Sequence, residues 1–341
     1  FGAWGKSYVY WAGIYSNSSA ANNKLGVNGG LLYAENAQNI QFHQCKVIID
    51  PDLDTDGRLN LDAAWLEITN DVLISDCYIK GSDTRKNNLN GITTYSDRNN
   101  TIQHCEFAGG AYAINPKGGV GTSQEGIQSL TCTNNYVHDC NGFIFLKGLT
   151  KCTDNPAVLN TIRNNLVVNV GSFCIQAQYD GRQACNSLRI YNNTFIASDI
   201  TNGRATGLSC AGENPDNPGN DPEFPRDNQA FNNIFVAGCY MRTQVDYTST
   251  YYPTTQYVKS FWADCDTNCI YGLSSIPNFG SSYDNSAQAI QYVTWAEWTT
   301  THDKTSLFRV DPIIDADGYL QPGSPCIGTG VDRLGIWGAV G

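Results

Sequence analysis

Two stretches of the chain carry one pattern: CTNNYVHDCNGFIFLKG at 132–148 and IRNNLVVNVGSFCIQAQ at 162–178. In each, paired asparagines are followed by a tyrosine or leucine, a valine and then a run in which apolar residues recur. Alternation with a period of two is typical of a β-strand that turns one face to a core. Recurrence at a fixed spacing is typical of a solenoid, in which each repeat forms one coil.

The pattern extends in both directions from this pair. It reads FHQCKV, ISDCYI and IQHCEF before the pair, and IYNNTF and AFNNIF after it. Its fourth position forms a column with spacings of 32, 28, 30, 30, 28 and 40 residues: Cys45, Cys77, Cys105, Asn135, Asn165, Asn193 and Asn233. Two positions further on, every coil has an apolar residue that we expect to point inward: Val47, Ile79, Phe107, Val137, Val167, Phe195 and Phe235.

The column predicts stacking inside the coil. An asparagine amide can bond its equivalent on the next coil, and a buried cysteine fills the same slot as a small apolar residue. A second strand follows the column at 90–96, 111–117, 142–148 and 172–178. The loops that interrupt the coils emerge at similar points, so we expect them to wall a groove on one side, at 118–126, 148–160, 179–187 and 211–228.

Composition limits the function. The formal net charge is −11 and only 16% of residues are charged, with no basic stripe of the kind that a general nucleic-acid binder shows. The same charge opposes binding to an anionic polysaccharide unless a local basic cluster or a bound cation reverses the field. No apolar run is long enough to span a bilayer. The start at Phe1, without methionine or a signal-peptide pattern, predicts a processed or truncated product.

The 13 cysteines favour an oxidising, extracellular or cell-surface location. Their odd number leaves at least one thiol unpaired within the chain, and Cys265 and Cys269 are spaced to close a small local loop. Sequons at Asn17, Asn99 and Asn192 permit glycosylation.

The C-terminal region carries a family resemblance. An Asp-x-x-Ser-Leu element, an Asp-Pro and a Leu-x-Pro-Gly-Ser-Pro turn occupy Asp303, Ser306, Leu307, Asp311, Pro312, Leu320, Pro322, Gly323, Ser324 and Pro325. This ending resembles that of secreted right-handed parallel β-helix proteins, the pectate-lyase-like, polysaccharide-active superfamily. The Asp-rich motifs of the polygalacturonase branch are absent, so the sequence does not support an inverting pectin hydrolase with that carboxylate set.

Repeat and resemblance together predict an all-β fold, a right-handed parallel β-helix with about seven recognisable coils and an irregular C-terminal cap. We assign 1–239 to the coils, and 240–341 to the final coils and the capping region of the same domain. The tail is rich in tyrosine and tryptophan, which we assign to packing of the cap.

The strongest candidate for chemistry is a lysine row. Lys117 and Lys147 each lie twelve residues after their column position, which places them about 5 Å apart on adjacent coils. Two ammonium groups that close disfavour each other's charge, which favours one of them as a base. The resemblance implies a uronate lyase, in which a base removes the sugar C5 proton and a cation neutralises the carboxylate. Supporting candidates are Arg182 as the cation, Asn115, Gln176 and Gln178 for substrate, and Glu125 and Asp180 for calcium.

Two weaker constellations remain. Glu35 and Glu67 share one offset from the column, with Tyr95 at the same offset, and loosely meet the paired-carboxylate requirement of a glycosidase. Solvated strand residues explain them equally well. The histidines at 43, 104 and 138 fall at different offsets, and we interpret them as surface or turn residues.

Two functions from different classes follow. The first is binding or cleavage of extracellular polysaccharide. The second is a non-catalytic, glycosylated structural or surface protein, a filament or adhesin, that self-associates through its β-helix ends, because an uncapped coil exposes unpaired strand edges.

Overall fold

A computed structural model describes residues 2–17, 28–49, 60–81, 90–118, 129–147, 159–178, 187–197, 206–212, 228–236, 239–245, 262–272, 279–284, 291–293, 295–315 and 317–328. In these residues the chain is a right-handed parallel β-helix, which confirms the predicted fold. Three parallel sheets, A, B and C, run along its axis, and strands of successive coils pair in register. The single described helix, α1, is Trp295–Trp298.

Sheet A contains β1 (Gly2–Trp4), β4 (Asn28–Glu35), β7 (Asn60–Glu67), β10 (Ile92–Tyr95), β13 (Tyr112–Lys117), β16 (Gly142–Lys147), β19 (Phe173–Gln178), β22 (Thr206–Gly212), β25 (Cys239–Val245), β28 (Phe279–Asp284) and β29 (Gln291–Val293). Sheet B contains β2 (Ser7–Ala12), β5 (Gln38–His43), β8 (Asn70–Ser75), β11 (Thr101–Gln103), β14 (Thr131–Thr133), β17 (Asn160–Arg163), β20 (Leu188–Tyr191), β23 (Asn228–Phe231) and β26 (Trp262–Asp266). Sheet C contains β3 (Tyr15–Asn17), β6 (Lys46–Ile48), β9 (Tyr78–Lys80), β12 (Glu106–Ala108), β15 (Tyr136–His138), β18 (Leu166–Val170), β21 (Thr194–Ala197), β24 (Ile234–Val236), β27 (Cys269–Tyr271) and β30 (Leu307–Phe308).

The described strands form nine coils that cross all three sheets, rather than about seven. The two extra coils are the first, β1 to β3, and the ninth, β25 to β27. In the first coil, Gly13 and Ile14 replace the turn residue and the column residue of the six-residue pattern. The ninth coil keeps the pattern in CDTNCI, with Asn268 at the column position. The strands of both coils nevertheless pair with the strands of the neighbouring coil.

Each coil has three strands, where the sequence predicted two. The residue just before each column position has a left-handed backbone, with φ between 51° and 57°, and it splits the expected strand into one in sheet B and one in sheet C. Polar residues with short side chains adopt this conformation at least cost, which explains why asparagine or aspartate occupies most of these turns. The turn residues are Gln44, Asp76, His104, Asn134, Asn164, Asn192, Asn232 and Thr267.

The predicted asparagine ladder is present inside the coil. The Nδ2 of each asparagine donates to the Oδ1 of the next, at 2.9 Å from Asn135 to Asn165 and 2.9 Å from Asn165 to Asn193. The ladder continues through Asn233 to Asn268, which the repeat pattern missed. Each Oδ1 also accepts the backbone N–H of the preceding column residue. The amides therefore satisfy buried backbone donors as well as one another.

The ladder ends at a carboxylate from the family-like C-terminal element. Asp303 Oδ1 accepts from Asn268 Nδ2 at 3.0 Å, and Asp303 Oδ2 accepts from the indole Nε1 of Trp298 at 2.7 Å. Ser306 completes the end by accepting the backbone N–H of Asn268 at 2.8 Å. Trp298 is 1% exposed and belongs to the main core, so the packing role predicted for the tail aromatics is confirmed for this residue.

The rest of the cap lies elsewhere than expected. Residues 311–315 and 317–328 lie on the outer face of sheet C, where Ile314 and Leu320 pack against an apolar cluster that contains Ile234 and Val236. This placement also corrects the proposed local loop between Cys265 and Cys269. Cys265, at the end of β26, belongs to the core inside the coil, whereas Cys269, at the start of β27, belongs to the outer cluster with Cys326. The two thiols therefore lie on opposite sides of the coil wall.

Nine cysteines have described side chains, and all are buried thiols: Cys45, Cys77, Cys105, Cys132, Cys140, Cys174, Cys265, Cys269 and Cys326. At the other end, β1, β2 and β3 form the last strands of their sheets within the described chain, and Tyr8 is 82% exposed. Self-association through this end stays a prediction. Among the described helices, none has the length and apolar character needed to cross a bilayer.

Candidate functional site

Two parallel rows of side chains lie on the outward face of sheet A. The first, which we call the charged row, joins register partners on five successive strands: Glu35, Glu67, Tyr95, Lys117 and Lys147. On the sixth strand, Gln178 is the backbone register partner of Lys147. The second, the preceding row, lies two residues earlier on the same strands: Tyr33, Trp65, Thr93, Asn115, Phe145 and Gln176. The predicted pairing of Lys117 with Lys147, and the proximity of both glutamines to them, are confirmed.

The acidic end of the charged row is built from one local motif used twice. Glu35 and Glu67 are direct register partners, about 5 Å apart at Cα. Tyr33 donates its hydroxyl hydrogen to Glu35 Oε2, and Trp65 Nε1 donates to Glu67 Oε2 at 3.1 Å. Burial first, then the bond to Glu35, raises the pKa of Tyr33 well above its usual range, so Tyr33 remains a donor.

The basic end begins at Tyr95. The ammonium of Lys117 donates to the Tyr95 hydroxyl at 3.1 Å and lies 5.2 Å from the centre of its ring. Lys147 turns instead to Phe145, with Nζ 4.7 Å from the ring centre. The Tyr95 ring in turn lies 4.8 Å from that of Trp65. Cation–π contacts of this kind hold each ammonium in place while leaving part of it exposed.

A buried polar cluster lies beside Tyr95 and Lys117. Asn90 Nδ2 donates to Asp62 Oδ1 at 2.9 Å and to Thr93 Oγ1 at 3.3 Å. Burial raises the pKa of Asp62 to about 7, although hydrogen bonds from Asn90 and Thr93 and the charge of Lys117 act to lower it. In the described part of the chain, the side-chain Oδ1 atoms of Asn90 and Asn115 have no hydrogen-bond partner. Asn115 is only 4% exposed, so its acceptor is a buried, unsatisfied group.

Aromatic side chains from β13, β16 and β19 pack against one another close to the two lysines. Tyr112 lies 4.9 Å from Phe145 and 5.4 Å from Phe173 between ring centres, and Phe145 lies 5.8 Å from Phe173. The outward face of sheet A thus alternates ring surfaces with charged and amide groups along the axis.

Several predicted residues lie outside the described residues: Arg182, Asp180 and Glu125. The calcium site assigned to two of them stays a prediction, and the described side chains contain no group of three potential metal ligands. Of the sequons, Asn17 lies in β3 and Asn99 is an exposed left-handed turn residue whose Nδ2 donates to Asn70 at 3.1 Å. Asn192 has a left-handed backbone and a buried Oδ1.

The histidines lie away from sheet A, as interpreted from the sequence. His43 Nδ1 is 2.9 Å from Ser75 Oγ and 3.2 Å from Asp76. His138 contacts Glu106 and Asp139 on sheet C, and His104 occupies a turn. Because Ser75 and Asp76 approach the same nitrogen of His43, this group lacks the geometry of a catalytic triad.

Sequence reasoning underrated the acidic end of the row. Its signal was present in YAE at 33–35 and WLE at 65–67, an aromatic residue two positions before a glutamate at equal offsets. Residues two apart share a strand face, so each ring was placed to bond its glutamate.

No protein-family model matches the chain, and no curated protein matches it. Among solved structures, the chain is similar to a hyperthermoactive exopolygalacturonase from Thermotoga maritima, with 13% identity and a TM-score of 0.41 over 78% of this chain and 74% of that one. It is also similar to a family 28 exopolygalacturonase from Yersinia enterocolitica, with 12% identity and a TM-score of 0.32 over 75% of this chain and 47% of that one. The chain spans about half the length of the Yersinia enzyme. Values this low say nothing about the reaction.

Proposed function

We propose that the chain acts outside the cell, where it binds a uronate-containing polysaccharide along the outward face of sheet A and cleaves it by β-elimination at Tyr95, Lys117 and Lys147. The observation that carries the proposal is the hydrogen bond between Lys117 Nζ and the Tyr95 hydroxyl, with Lys147 in register on the next strand. This places two cations and one phenol on neighbouring coils of a solvent-facing sheet.

Binding follows from the composition of the two rows. Sugar rings present apolar C–H faces and polar edges, so a surface that alternates aromatic rings with hydrogen-bonding groups suits them. Tyr95 and Phe145 provide partly exposed rings on two coils, and Gln176 continues the face with an amide. Asn115 is 4% exposed, so its buried Oδ1 lies beneath this surface instead of contacting the sugar.

Lys117 and Lys147 favour a sugar that carries a negative charge. The net charge of −11 repels a polyanion from most of the molecule, but Lys117 and Lys147 make a local positive site. We place the uronate carboxylate against Lys117, whose ammonium is fixed by the Tyr95 hydroxyl and ring. Neutralising that carboxylate makes the C5 proton easier to remove.

The chemistry needs a base and an acid. Lys147 first releases its own proton to solvent, and its amine then takes the C5 proton. The electron pair of the C5–H bond forms the C4–C5 double bond while the bond to the glycosidic oxygen on C4 breaks. The Tyr95 hydroxyl donates its proton to the departing oxygen and regains one from solvent. General acid–base steps of this kind contribute roughly 10² to 10⁴ in rate, and this sets the expected loss for Lys147→Ala.

The test is a cleavage screen on uronate polysaccharides that follows two signals at once: ultraviolet absorbance of the unsaturated product and the number of new reducing ends. We expect both signals to rise together, and both to fall at least about 100-fold in Lys147→Ala. Lys46→Ala is the matched control, because Lys46 contacts the ring of Tyr78 on sheet C, away from the site. Equal activity in Lys147→Ala and Lys46→Ala would contradict the assignment.

The Glu35–Glu67 pair supports a second candidate, glycoside hydrolysis. Retaining enzymes hold two carboxyl groups about 5 Å apart, which neighbouring strands of a parallel sheet provide. In that case the same screen gives new reducing ends without ultraviolet absorbance. Activity would then be lost in Glu67→Gln and kept in Lys147→Ala.

A further inference from the structure

The outer face of sheet C holds a pair of thiols far from the proposed site. Cys269 lies in β27 and Cys326 in the segment 311–328 that crosses this sheet. Both are 4% exposed and share an apolar cluster with Ile234 and Val236. Cys265, four residues before Cys269, belongs to the separate core inside the coil.

The two thiols contact each other directly. A hydrogen bond joins Cys269 to Cys326, and the Cys269 thiol also lies 3.4 Å from the carbonyl oxygen of Val310. The bond from Cys269 lowers the pKa of Cys326, while the same contact, followed by burial, raises the pKa of Cys269. Cys326 is therefore the thiol that ionises first.

The position of the segment that carries Cys326 is defined by a backbone bond just before it, a bridge within it and one close approach to sheet C. Arg309 N donates to Ile270 O at 2.7 Å, and Ile314 pairs with Leu320 across a short antiparallel bridge. At Gly318, where φ is +88°, an added Cβ would lie 2.7 Å from Leu166 Cδ1 on sheet C. These contacts fix the segment closely enough to hold the two sulfurs together.

We propose that Cys269 and Cys326 form a disulfide when the protein folds in an oxidising compartment, and that this bond fixes the C-terminal segment to sheet C. The Cys326 thiolate attacks one sulfur of a small-molecule disulfide such as glutathione disulfide and releases one thiolate. The Cys269 thiolate then attacks the Cys326 sulfur of the mixed disulfide and releases the second. Two protein thiols are oxidised, one glutathione disulfide is reduced to two glutathione molecules, and the two protein protons end on these.

The consequence is a covalent clamp on a long piece of chain. The bond would link positions 57 residues apart and would restrict the unfolded chain accordingly. Because the two cysteines lie on sheet C, the clamp is independent of the rows on sheet A, and its failure would leave the proposed polysaccharide chemistry unaffected.

The experiment is disulfide mapping of the whole chain after refolding with glutathione disulfide. We expect a Cys269–Cys326 cross-link in the digest that disappears on reduction, and a Tm roughly 5 °C above that of the reduced protein. The cross-link should persist in Cys265→Ser and vanish in Cys269→Ser. Alkylation of both cysteines in the refolded wild-type protein, or a cross-link from Cys269 to another cysteine, would overturn the proposal. A cross-link without a rise in Tm would overturn the clamping role.

Discussion

The column inside the β-helix has two chemically different halves. In the thiol half, Cys45, Cys77 and Cys105 occupy the slot, and the backbone N–H of Cys45 finds only the sulfur of Cys77, at 3.4 Å. In the amide half, from Asn135 to Asn268, the backbone N–H groups of Asn135, Asn165, Asn193 and Asn233 each donate to an amide oxygen at 2.9–3.1 Å, and that of Asn268 donates to Ser306 Oγ at 2.8 Å. Cys105 marks the junction, because its N–H already donates to Asn135 Oδ1 at 3.0 Å.

The difference shows that the same backbone geometry accepts either cysteine or asparagine at the column position, although the two residues offer different partners to the buried backbone N–H groups. An asparagine supplies one acceptor and two donors, whereas a thiol supplies a weak donor and a weak acceptor. Two buried carboxyls lie in the coils of the thiol half, Asp62 in β7 and Asp97 between β10 and β11, whereas the buried carboxyl that contacts the amide half is Asp303 at its end. The amide half should therefore depend on hydrogen bonds, and the thiol half on packing and pH.

The largest effect should come from breaking the amide half. Asn165→Ala removes the acceptor for the N–H and Nδ2 of Asn135 and the donor to the carbonyl of Cys132. Each buried group left unsatisfied costs about 1–3 kcal/mol, so we expect a loss of about 4 kcal/mol in the free energy of unfolding. Urea denaturation of Asn165→Ala beside Cys77→Ala measures the contrast. The thiol variant should lose about 1 kcal/mol. Equal losses would remove the distinction between the halves.

Changing the pH should have a smaller effect for each pH unit, and this effect arises in the thiol half of the molecule. Burial raises the pKa of Asp97 to about 8, against the hydrogen bonds from Thr69 and Asn100, and raises that of Asp62 to about 7. The folded state then binds more protons than the unfolded state between about pH 4 and pH 8, so stability is greatest at the acidic end and falls as pH rises through this window.

Each buried carboxyl contributes at most about 1.4 kcal/mol per pH unit to this fall. Thermal unfolding across the window should show a shallower slope in Asp97→Asn than in the wild type. Asp71→Asn, a change at an exposed position of β8, is the matched control and should leave the slope unchanged. A wild-type stability that rises from pH 4 to pH 8 would show that these carboxyls are ionised in the folded protein.

The smallest effect should come from extending the ladder by one position. In Cys105→Asn, the new Nδ2 can reach Asn135 Oδ1 and the carbonyl of Ile74, which the thiol of Cys105 contacts at 3.7 Å. We expect a gain of about 0.5–1 kcal/mol in the free energy of unfolding. The reverse change, Asn135→Cys, should cost about 2 kcal/mol. Destabilisation by Cys105→Asn would mean that packing, not hydrogen bonding, decides the residue in the thiol half.

The sequence was most informative where side chains repeat along the axis. Asparagine at the column predicted the ladder, and counting twelve residues from the column paired Lys117 with Lys147, because a solenoid turns equal offsets into neighbours. The third strand was missed because the positive φ of Asn134 divides one expected strand into two. Hydrophobic alternation carries no information about the sign of φ. The ninth coil was missed because CDTNCI, which fits the six-residue pattern with Asn268 at the column position, lies beyond residue 239, where we ended the recognisable coils.

Contacts between distant segments were beyond the pattern. Cys265 and Cys269 are close in sequence, yet only the strand geometry shows that they face opposite sides and that Cys269 meets Cys326. The bonds from Tyr33 and Trp65 to the glutamates likewise depend on side-chain direction in β4 and β7.

The most direct test of the proposed site is a crystal structure of Tyr95→Phe with a bound uronate oligosaccharide, since this change slows turnover while keeping the ring. We predict sugar rings along sheet A over residue 95 and Phe145, with the carboxylate of one sugar at Lys117 and the C5 atom of that sugar facing Lys147. An oligosaccharide bound to sheet B or sheet C, or centred on Glu35 and Glu67 without contact to either lysine, would contradict the account.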